Sequence, residues 1–256
     1  MSTYPILEYD YSPRAVLEPD HGNLGIELPP YAAFPILGDC VDDYAREHGF
    51  PVIAALETFT KAFPIYRVSE TTCLCQAPLG APIAVAVMDW MIAYGVRSVV
   101  STGACGALIE LPENAFIVPR RALRDEGTSY HYMPPARWSY LDEATQRRVV
   151  ATLEAEGIRY VEYDTWTTDA IYRETVDKVR RSRSEGCGVV DMECAALSAC
   201  AEFRGAAFGQ FLYTADSLAN TEAYEARNRG RESLLPALEI CLKAADPASC
   251  PTGEGD

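Results

Sequence analysis

Two acidic residues at the end of one predicted strand carry the strongest chemical signal in this chain. Asp191 and Glu193 flank Met192, where an apolar run beginning at Val189 passes into a helix rich in small residues. Small residues let that helix pack closely on a sheet, so Glu193 is held rigidly at the strand end, where ligands bind in open α/β sheets. The alternative is that Glu193 only gains from the dipole of the first helical turn.

Asp216 is the second candidate for chemistry. It follows an apolar strand at 208–213 and lies 23 residues after Glu193. A carboxyl that is partly buried at such a strand end suits general acid catalysis. The alternative is that Asp216 caps the helix predicted after it.

Other polar or flexible groups also fall at predicted strand ends. The small-residue turn at 103–106 offers backbone amides that can approach a ligand closely. Arg124, Asp125 and His131 belong to a polar cluster that is either part of a site or a network at a subunit contact. The remaining candidates are Asp39, Asp42 and the segment 166–172.

The elements that must position these residues alternate between short β-rich runs and helical stretches, which predicts an α/β single domain with a central mixed twisted β-sheet flanked by helices. We expect that domain at 31–245, after an irregular segment at 1–30 and before a disordered tail at 246–256. Strands are predicted at 31–38, 64–68, 71–77, 98–104, 116–124, 159–166, 188–192 and 206–214. Helices are predicted at 40–48, 82–94, 142–156, 174–184, 193–204 and 221–243.

Composition excludes several classes of partner. The 256 residues contain 22 Lys and Arg against 37 Asp and Glu, a net charge of -15, which disfavours binding to nucleic acid or to an anionic membrane surface. No stretch approaches 18 uncharged apolar residues, and the N-terminus carries acidic groups where a signal peptide needs a basic start. We expect a cytoplasmic protein.

The nine cysteines are an odd number and most lie inside apolar runs, so we expect free, buried thiols. Cys73 and Cys75 face one side of a strand, but no second pair follows at zinc-ligand spacing and the three histidines are scattered. We expect neither a metal nor a cofactor.

Four segments in order along the chain carry a family resemblance. They are QAPLGAP at 76–82, VVSTGACGAL at 99–108, VVDMECAA at 189–196 and TAD at 214–216. They resemble, respectively, the Gly-rich segment, the Gly-Ser-Cys-Gly turn, the Glu-Met-Glu-Ala-Ala motif and the Ser-Asp ending of the purine nucleoside and uridine phosphorylase family, which includes the methylthioadenosine/adenosylhomocysteine nucleosidases. The similarity covers about residues 31–242, and the spacing from Glu193 to Asp216 matches the family's.

The resemblance implies cleavage of the N-glycosidic bond of a nucleoside through an oxocarbenium-like sugar, and so a place in nucleoside metabolism or purine salvage. It implies that Asp216 is the catalytic acid for the departing base, that Glu193 accepts hydrogen bonds from the ribose 2′- and 3′-hydroxyls, and that Met192 packs under the sugar. Further substrate-binding residues implied are Asp191, Gly103, Ala104 and Cys105.

The base side of the site departs from the family pattern. Ile171 stands where the family has a base-stacking aromatic residue, with Trp166 and Tyr172 close enough in sequence to substitute. The Gln and Arg that read uracil in the uridine enzymes have no match at 171–177. Uridine is therefore disfavoured as a substrate.

The phosphate side of the predicted site departs most from the family pattern. Positions where the family's phosphorylases have arginines are Asp42, Glu57 and Ser101, and Ala104 replaces the hydroxyl residue of the turn. We therefore expect hydrolysis rather than phosphorolysis, with water activated by Asp39, Asp42 or Glu57. Two alternatives stay open: phosphorolysis using other arginines, namely Arg97, Arg120 or Arg124, and a non-catalytic member that binds a nucleoside.

The resemblance also implies a homo-oligomer, either a dimer or a hexamer built from dimers, with sites near subunit contacts. The sequence adds only an N-terminal segment that needs a surface to cover. Its apolar and aromatic residues are Tyr4, Ile6, Leu7, Tyr9 and Tyr11.

Overall fold

One mixed β-sheet runs through the protein and organises what packs on it. The computed structural model describes residues 4–249. Within that range the sheet has twelve strands. They are β1 (Tyr31–Ala33), β2 (Val52–Glu57), β3 (Ala62–Arg67), β4 (Thr72–Cys75), β5 (Ser98–Ala107), β6 (Phe116–Val118), β7 (Arg121–Asp125), β8 (Trp138–Tyr140), β9 (Tyr160–Glu162), β10 (Asp164–Thr168), β11 (Cys187–Asp191) and β12 (Ala207–Ser217).

Six α-helices flank the sheet in the described part of the chain. They are α1 (Cys40–Glu47), α2 (Ala81–Ala93), α3 (Glu143–Ala155), α4 (Val176–Ser184), α5 (Cys194–Arg204) and α6 (Leu234–Ala245). Local signals set several ends: Asp142 and Thr175 accept hydrogen bonds from backbone amides of α3 and α4, and Gly205 ends α5 in the left-handed region. The predicted fold class, a mixed sheet flanked by helices, is confirmed.

The long strand β5 is the centre of the sheet. The strand order is β2-β3-β4-β1-β5-β11-β10-β7-β8. Outside this path, β12 pairs with β5 and β6, and β6 also pairs with β9. β12 runs parallel to β5 and β11 runs antiparallel to its last residues. Because β5 touches both, the segments that follow β11 and β12 are brought to the same part of the molecule.

Two apolar layers bury the faces of the sheet. One layer joins α2 and α5 to the sheet and includes Met88 and Leu197. The other joins α1, α3 and α6 to the opposite face and includes Leu153, Phe211 and Leu238. Both layers are built from side chains with almost no exposed surface, so they fix the strand ends in place.

Two of the predicted strands are divided. Residues 116–124 form two strands, β6 and β7, which pair with different neighbours. β6 pairs with β12 and β9. β7 pairs with β10 and β8. Pro119 lies at the break and has no N–H for a sheet ladder, which explains the change of partner. Residues 159–166 likewise divide into β9 and β10, and β2 and β8 were not predicted.

The helix predicted at 221–243 is wrong in its first half, because α6 begins only at Leu234. Residues 219–230 form an irregular loop in which Arg227, Arg229 and Gly230 have positive φ values of 48°, 59° and 63°. Those values are incompatible with a right-handed helix. This loop returns to the end of β12, as described below.

The cysteine prediction is confirmed for the eight cysteines in the described range, which are all free, and seven of them are buried. Residues 4–30 contain one short 3-10 helix, Pro5–Leu7. The tail predicted at 246–256 lies mostly outside the described residues, which end with a 3-10 turn at Pro247–Ser249. Among residues 4–249, none of the helices has the length and apolar character needed to cross a membrane.

Candidate active site

Gly106 of β5 lies between β11 and β12, the strands that carry the candidate site residues. It pairs with Val190 of β11 on one side and with Asp216 of β12 on the other. A Cβ at this position would lie 3.0 Å from Val190 Cγ1 and 3.2 Å from Asp216 Oδ1, so a larger residue would displace both side chains. Glycine is needed here because the neighbouring side chains approach so closely.

The turn predicted at 103–106 is wrong, because these residues continue β5 as far as Ala107. β12 stays paired with β5 through this segment, which keeps it extended. Gly103 and Cys105 are buried, whereas Ala104 is the exposed position of the strand. Ala104 therefore opens onto solvent beside the strand ends.

Asp191 anchors the segment between β11 and α5. Its buried carboxylate accepts hydrogen bonds from Thr165 Oγ1 at 3.0 Å, Thr167 Oγ1 at 2.7 Å, and the backbone amides of Glu193 at 3.0 Å and Cys194 at 2.6 Å. Burial raises the pKa of Asp191, and these hydrogen bonds oppose the rise. Its oxygens are occupied by the chain itself, so Asp191 fixes the position of Glu193.

Glu193 is held by backbone amides in an almost closed site. Only 4% of it is exposed; Gly80 N–H donates to Oε1 at 2.5 Å and Met192 N–H donates to Oε2 at 3.3 Å. Burial, and then the charge of Asp191, raises the pKa of Glu193 to about 8. Met192 is half-buried beside it. The predicted Gly-rich segment before α2 thus supplies a direct partner to Glu193.

Asp216 lies at the other side of β5 in a more open setting. Its side chain is half-buried, and the phenol of Tyr224 donates to Oδ2 at 2.8 Å. An antiparallel bridge between Ser217 and Glu225 closes the intervening loop at its base. Arg183 of α4 donates to the carbonyls of Leu218 and Ala219 and ties the loop to that helix.

Glu174 is a site residue that the sequence reasoning missed. The sequence assigned it to a surface helix, but α4 begins only at Val176 and Glu174 lies in the loop between β10 and that helix. Burial, and then the charge of Asp216, raises the pKa of Glu174 to about 7, while Lys178 opposes the shift. The cap residue Thr175 was the available signal, because it places Glu174 outside the helix and after a strand.

A cavity of about 140 Å³ lies between this loop and the loop after β12. Its lining joins apolar and polar side chains: Glu174, Val176, Val179, Leu218, Asn220, Thr221 and Tyr224. A larger cavity, about 390 Å³, lies at Arg120, Arg121 and Tyr140, at the start of β7 and therefore at the edge of the sheet away from Asp216. The smaller cavity adjoins Asp216 through Tyr224.

The three residues predicted to face the base are placed very differently. Ile171 and Tyr172 are 51% and 97% exposed in the short 3-10 helix after β10. Trp166 is only 1% exposed and packs in an apolar cluster, with its Nε1 donating to Asp125 at 3.0 Å. The proposed stacking role of Trp166 is therefore corrected, because its ring is enclosed by the protein.

The polar cluster around β7 forms mainly internal contacts. Arg124 is 5% exposed and donates to Ser129 Oγ and to the carbonyls of Met133 and Pro134. Asp125 is exposed and pairs with Lys178 Nζ at 2.7 Å. His131 is exposed at the end of a 3-10 helix.

The carboxylates predicted to activate water lie on other elements. Asp39 is exposed just before α1, and its side chain makes no capping hydrogen bond. Asp42 is half-buried in α1 and accepts from Tyr66 Oη at 3.2 Å. Glu57 is exposed at the end of β2.

Two of the three alternative arginines lie away from Asp216. Arg97 precedes β5 and donates to the carbonyls of Ile92 and Val96, and Arg120 precedes β7. Both therefore lie at the starts of strands rather than at the end of β12. Ser101, at a position where the resemblance implies an arginine, donates to the carbonyl of Phe34 at 2.8 Å.

The mixed sheet flanked by helices is the fold of the nucleoside phosphorylases. The family model described as the phosphorylase superfamily matches residues 34–243. The chain therefore belongs to the phosphorylase superfamily.

Curated relatives are distant. The DeoD-type purine nucleoside phosphorylase of Bacillus cytotoxicus is 25% identical over 175 residues, which cover 65% of this chain and 72% of the relative. Uncharacterized protein R802 of Acanthamoeba polyphaga mimivirus is 25% identical over 142 residues, and the match spans about half of each protein, 54%.

Solved structures share the fold. An AMP nucleosidase from Bacteroides thetaiotaomicron has a TM-score of 0.66 at 23% identity, covering 86% of this chain and 89% of that one. A uridine phosphorylase from Vibrio fischeri has a TM-score of 0.70 at 19% identity, covering 90% and 92%. A purine nucleoside phosphorylase from Toxoplasma gondii in complex with immucillin-H has a TM-score of 0.69 at 17% identity, covering 84% and 91%.

Proposed function

We propose that this protein is an enzyme that cleaves the N-glycosidic bond of a nucleoside with water as the nucleophile. The observation that carries the proposal is the pair of carboxyl groups at the ends of the strands on either side of β5. Glu193 is buried and fixed by backbone amides, whereas Asp216 is half-buried beside a cavity. One carboxyl is suited to binding and the other to proton transfer.

In the proposed reaction the bond between the sugar C1′ and the base nitrogen breaks, and its electron pair leaves with the base. Asp216 donates a proton to the base, which makes it a better leaving group. Glu193 accepts hydrogen bonds from the sugar hydroxyls, with Met192 against the sugar and Asp191 holding the Glu193 backbone. Water adds to the oxocarbenium carbon and loses its proton to a carboxylate, for which Asp39, Asp42 and Glu57 remain the candidates.

Hydrolysis is favoured because residues 4–249 offer no evident clamp for phosphate near Asp216. Asp42 and Glu57 stand at positions where the resemblance implies arginines, and a carboxylate at about 5 Å from a phosphate anion, at an effective dielectric constant near 20, costs roughly 3 kcal/mol. Arg124 is committed to internal contacts, and Arg97 and Arg120 lie at strand starts. Water carries no comparable penalty.

Phosphorolysis is the second candidate function, because the structures that share this fold include phosphorylases as well as a nucleosidase. A nucleoside-binding member without catalysis is less favoured, since both Glu193 and Asp216 are retained.

We further propose a cytoplasmic homo-oligomer. Exposed apolar side chains of the N-terminal segment, among them Tyr4, Leu7 and Tyr11, support a covered surface there.

A panel of purine and pyrimidine nucleosides, incubated with and without phosphate, tests the proposal. Free base is read by chromatography. We expect release of base from at least one nucleoside at a rate that does not respond to phosphate. Release of base that requires phosphate would favour phosphorolysis. Binding of a nucleoside without release of base would favour the non-catalytic binding member.

A further inference from the structure

Glu174 stands out because its carboxyl has no partner in the chain. Among residues 4–249, its side chain makes no hydrogen bond and no ion pair, and the nearby Lys178 is paired with Asp125 at 2.7 Å. The side chain is half-buried and lines the 140 Å³ cavity. Half-burial removes part of the hydration of this carboxyl and the described chain supplies no partner in exchange, so a ligand that donates a hydrogen bond there gains affinity.

Asp216 lies next to this cavity without being part of its lining. Tyr224 lines the cavity and donates its phenol hydrogen to Asp216 Oδ2. Asp216 is also close enough for its charge to act on Glu174. A base that receives its proton from Asp216 and extends into the cavity therefore comes close to a second carboxyl group, that of Glu174.

The edge of adenine matches such a pair. On that edge the ring nitrogen N7 is an acceptor and the neighbouring 6-amino group is a donor, whereas guanine presents two acceptors, N7 and O6. A protonated Asp216 donating to N7 leaves the amino group to an ionised carboxylate beside it. A 6-oxopurine offers that carboxylate no donor and instead repels it.

We infer that Glu174 is a base-recognition residue that accepts a hydrogen bond from the 6-amino group, so that the site selects 6-aminopurine nucleosides over 6-oxopurine nucleosides. This inference rests on the proposed function, because it assigns the base to the side of Asp216. Asn220 and Thr221 complete the polar part of the cavity, and Val176, Val179 and Leu218 supply its apolar wall.

The selectivity has a pH dependence. Burial and Asp216 on β12 raise the pKa of Glu174 to about 7, Lys178 on α4 opposes them, and Tyr224 faces the same group from the loop. Above that pH Glu174 is ionised and accepts from an amino group; below it the protonated carboxyl can donate to a 6-oxo group. The preference for the 6-aminopurine therefore increases as pH rises through about 7.

The test compares kcat/KM for adenosine and inosine at pH 8. We expect the native protein to prefer adenosine, and Glu174→Gln to reduce the adenosine-to-inosine ratio about 10-fold or more, the effect of losing a hydrogen bond to a charged group. Glu222→Gln makes the same change at an exposed carboxyl of the loop after β12, outside the cavity lining, and should leave the ratio unaltered. A ratio unchanged by Glu174→Gln, or a native preference for inosine at pH 8, overturns the inference.

Binding of free adenine and hypoxanthine, measured by calorimetry, separates this inference from the proposed function. If no nucleoside is cleaved but adenine binds more tightly and loses that advantage in Glu174→Gln, the recognition role stands and the enzymatic proposal fails. If nucleosides are cleaved and the native protein and Glu174→Gln discriminate alike between adenine and hypoxanthine, the enzymatic proposal stands and the recognition role fails. Should Glu174→Gln fail to fold, the native adenosine-to-inosine ratio decides, because a ratio that does not rise between pH 6 and pH 8 contradicts the role of Glu174.

Discussion

The surroundings of Glu193 and of Asp216 differ in nearly every physical respect, although both residues lie at the ends of strands that pair with β5. Glu193 is 4% exposed and held by the amides of Gly80 and Met192, with Asp191 fixing its backbone. Asp216 is half-buried, and its hydrogen-bond partner Tyr224 is a 65% exposed side chain on an irregular loop. One region is rigid and closed, and the other is open to a cavity.

This difference separates two tasks. A carboxyl enclosed by backbone amides keeps its position and suits a fixed group such as a sugar hydroxyl. A carboxyl beside a cavity and a loop can reach a ligand and exchange protons. The comparison predicts that changes on the Asp216 side reduce turnover, whereas changes on the Glu193 side alter sugar selectivity and the pH dependence of stability.

The largest effect is expected from Asp216→Asn, which removes the proposed proton donor while preserving shape. Turnover on the best nucleoside substrate should fall by about 10²- to 10⁴-fold, the usual contribution of a general acid, with the fold retained. Steady-state kinetics and circular dichroism measure the two properties. Asp177→Asn, at an exposed position of α4, is the matched control, and near-normal turnover by Asp216→Asn removes that residue from the mechanism.

Glu193→Gln should change how stability depends on pH. The folded-state pKa of about 8 lies above the ordinary glutamate pKa of 4.5, so the protonated carboxyl favours folding. That contribution is complete below about pH 4.5 and is lost as pH rises through 8, whereas glutamine stays neutral throughout. Relative to the native protein, the variant should gain as much as about 4 kcal/mol in unfolding free energy between pH 5 and pH 8.

Urea denaturation at the two pH values measures this gain. Glu222→Gln, at an exposed carboxyl, should show the native pH dependence. Parallel pH profiles for the native protein and Glu193→Gln would mean that Glu193 is ionised in the folded protein at neutral pH.

Glu193→Ala should sharpen the comparison through the sugar. We expect kcat/KM for ribosides to fall about 10- to 100-fold, because the hydroxyls lose their hydrogen-bond partner in a buried site, and 2′,3′-dideoxyribosides to be affected much less. The ratio of the two specificity constants measures the effect and controls for general damage. Equal losses on both substrates would assign Glu193 a different task.

The smallest effect is expected from Tyr224→Phe, which removes the hydrogen bond to Asp216 Oδ2. We expect kcat to fall about 3- to 10-fold with little change in KM, since a single hydrogen bond contributes about 0.5 to 1.5 kcal/mol. Tyr11→Phe, at a 79% exposed tyrosine, is the control. A change confined to KM would mean that Tyr224 contacts the ligand rather than positioning Asp216.

The sequence predicted the rigid region well and the open region poorly. Glu193 follows a short strand and precedes a small-residue helix, and both were predicted within a few residues because their apolar patterns are strong. Its partner Gly80 belongs to a segment that the family resemblance also identified. Nothing in the local sequence, however, indicates that Thr165 and Thr167 donate to Asp191 Oδ1, because these contacts join neighbouring strands.

The region around Asp216 depends on contacts that sequence periodicity does not contain. The loop before α6 was predicted as helix, but Tyr224 and the Ser217–Glu225 bridge hold it at the end of β12. Glu174 was assigned to a surface helix, and its effect depends on a residue 42 positions away in sequence. Trp166 was expected beside the base, yet its aromatic ring fills the core.

The nucleophile is the central claim, and the identity of the sugar product tests it most directly. The best nucleoside substrate is incubated with the native protein in phosphate buffer, and the sugar is followed by ¹³C and ³¹P NMR. The account predicts free sugar, no sugar 1-phosphate signal, and the same rate when phosphate is replaced by another buffer. Accumulation of sugar 1-phosphate, with base release that stops when phosphate is removed, would contradict it.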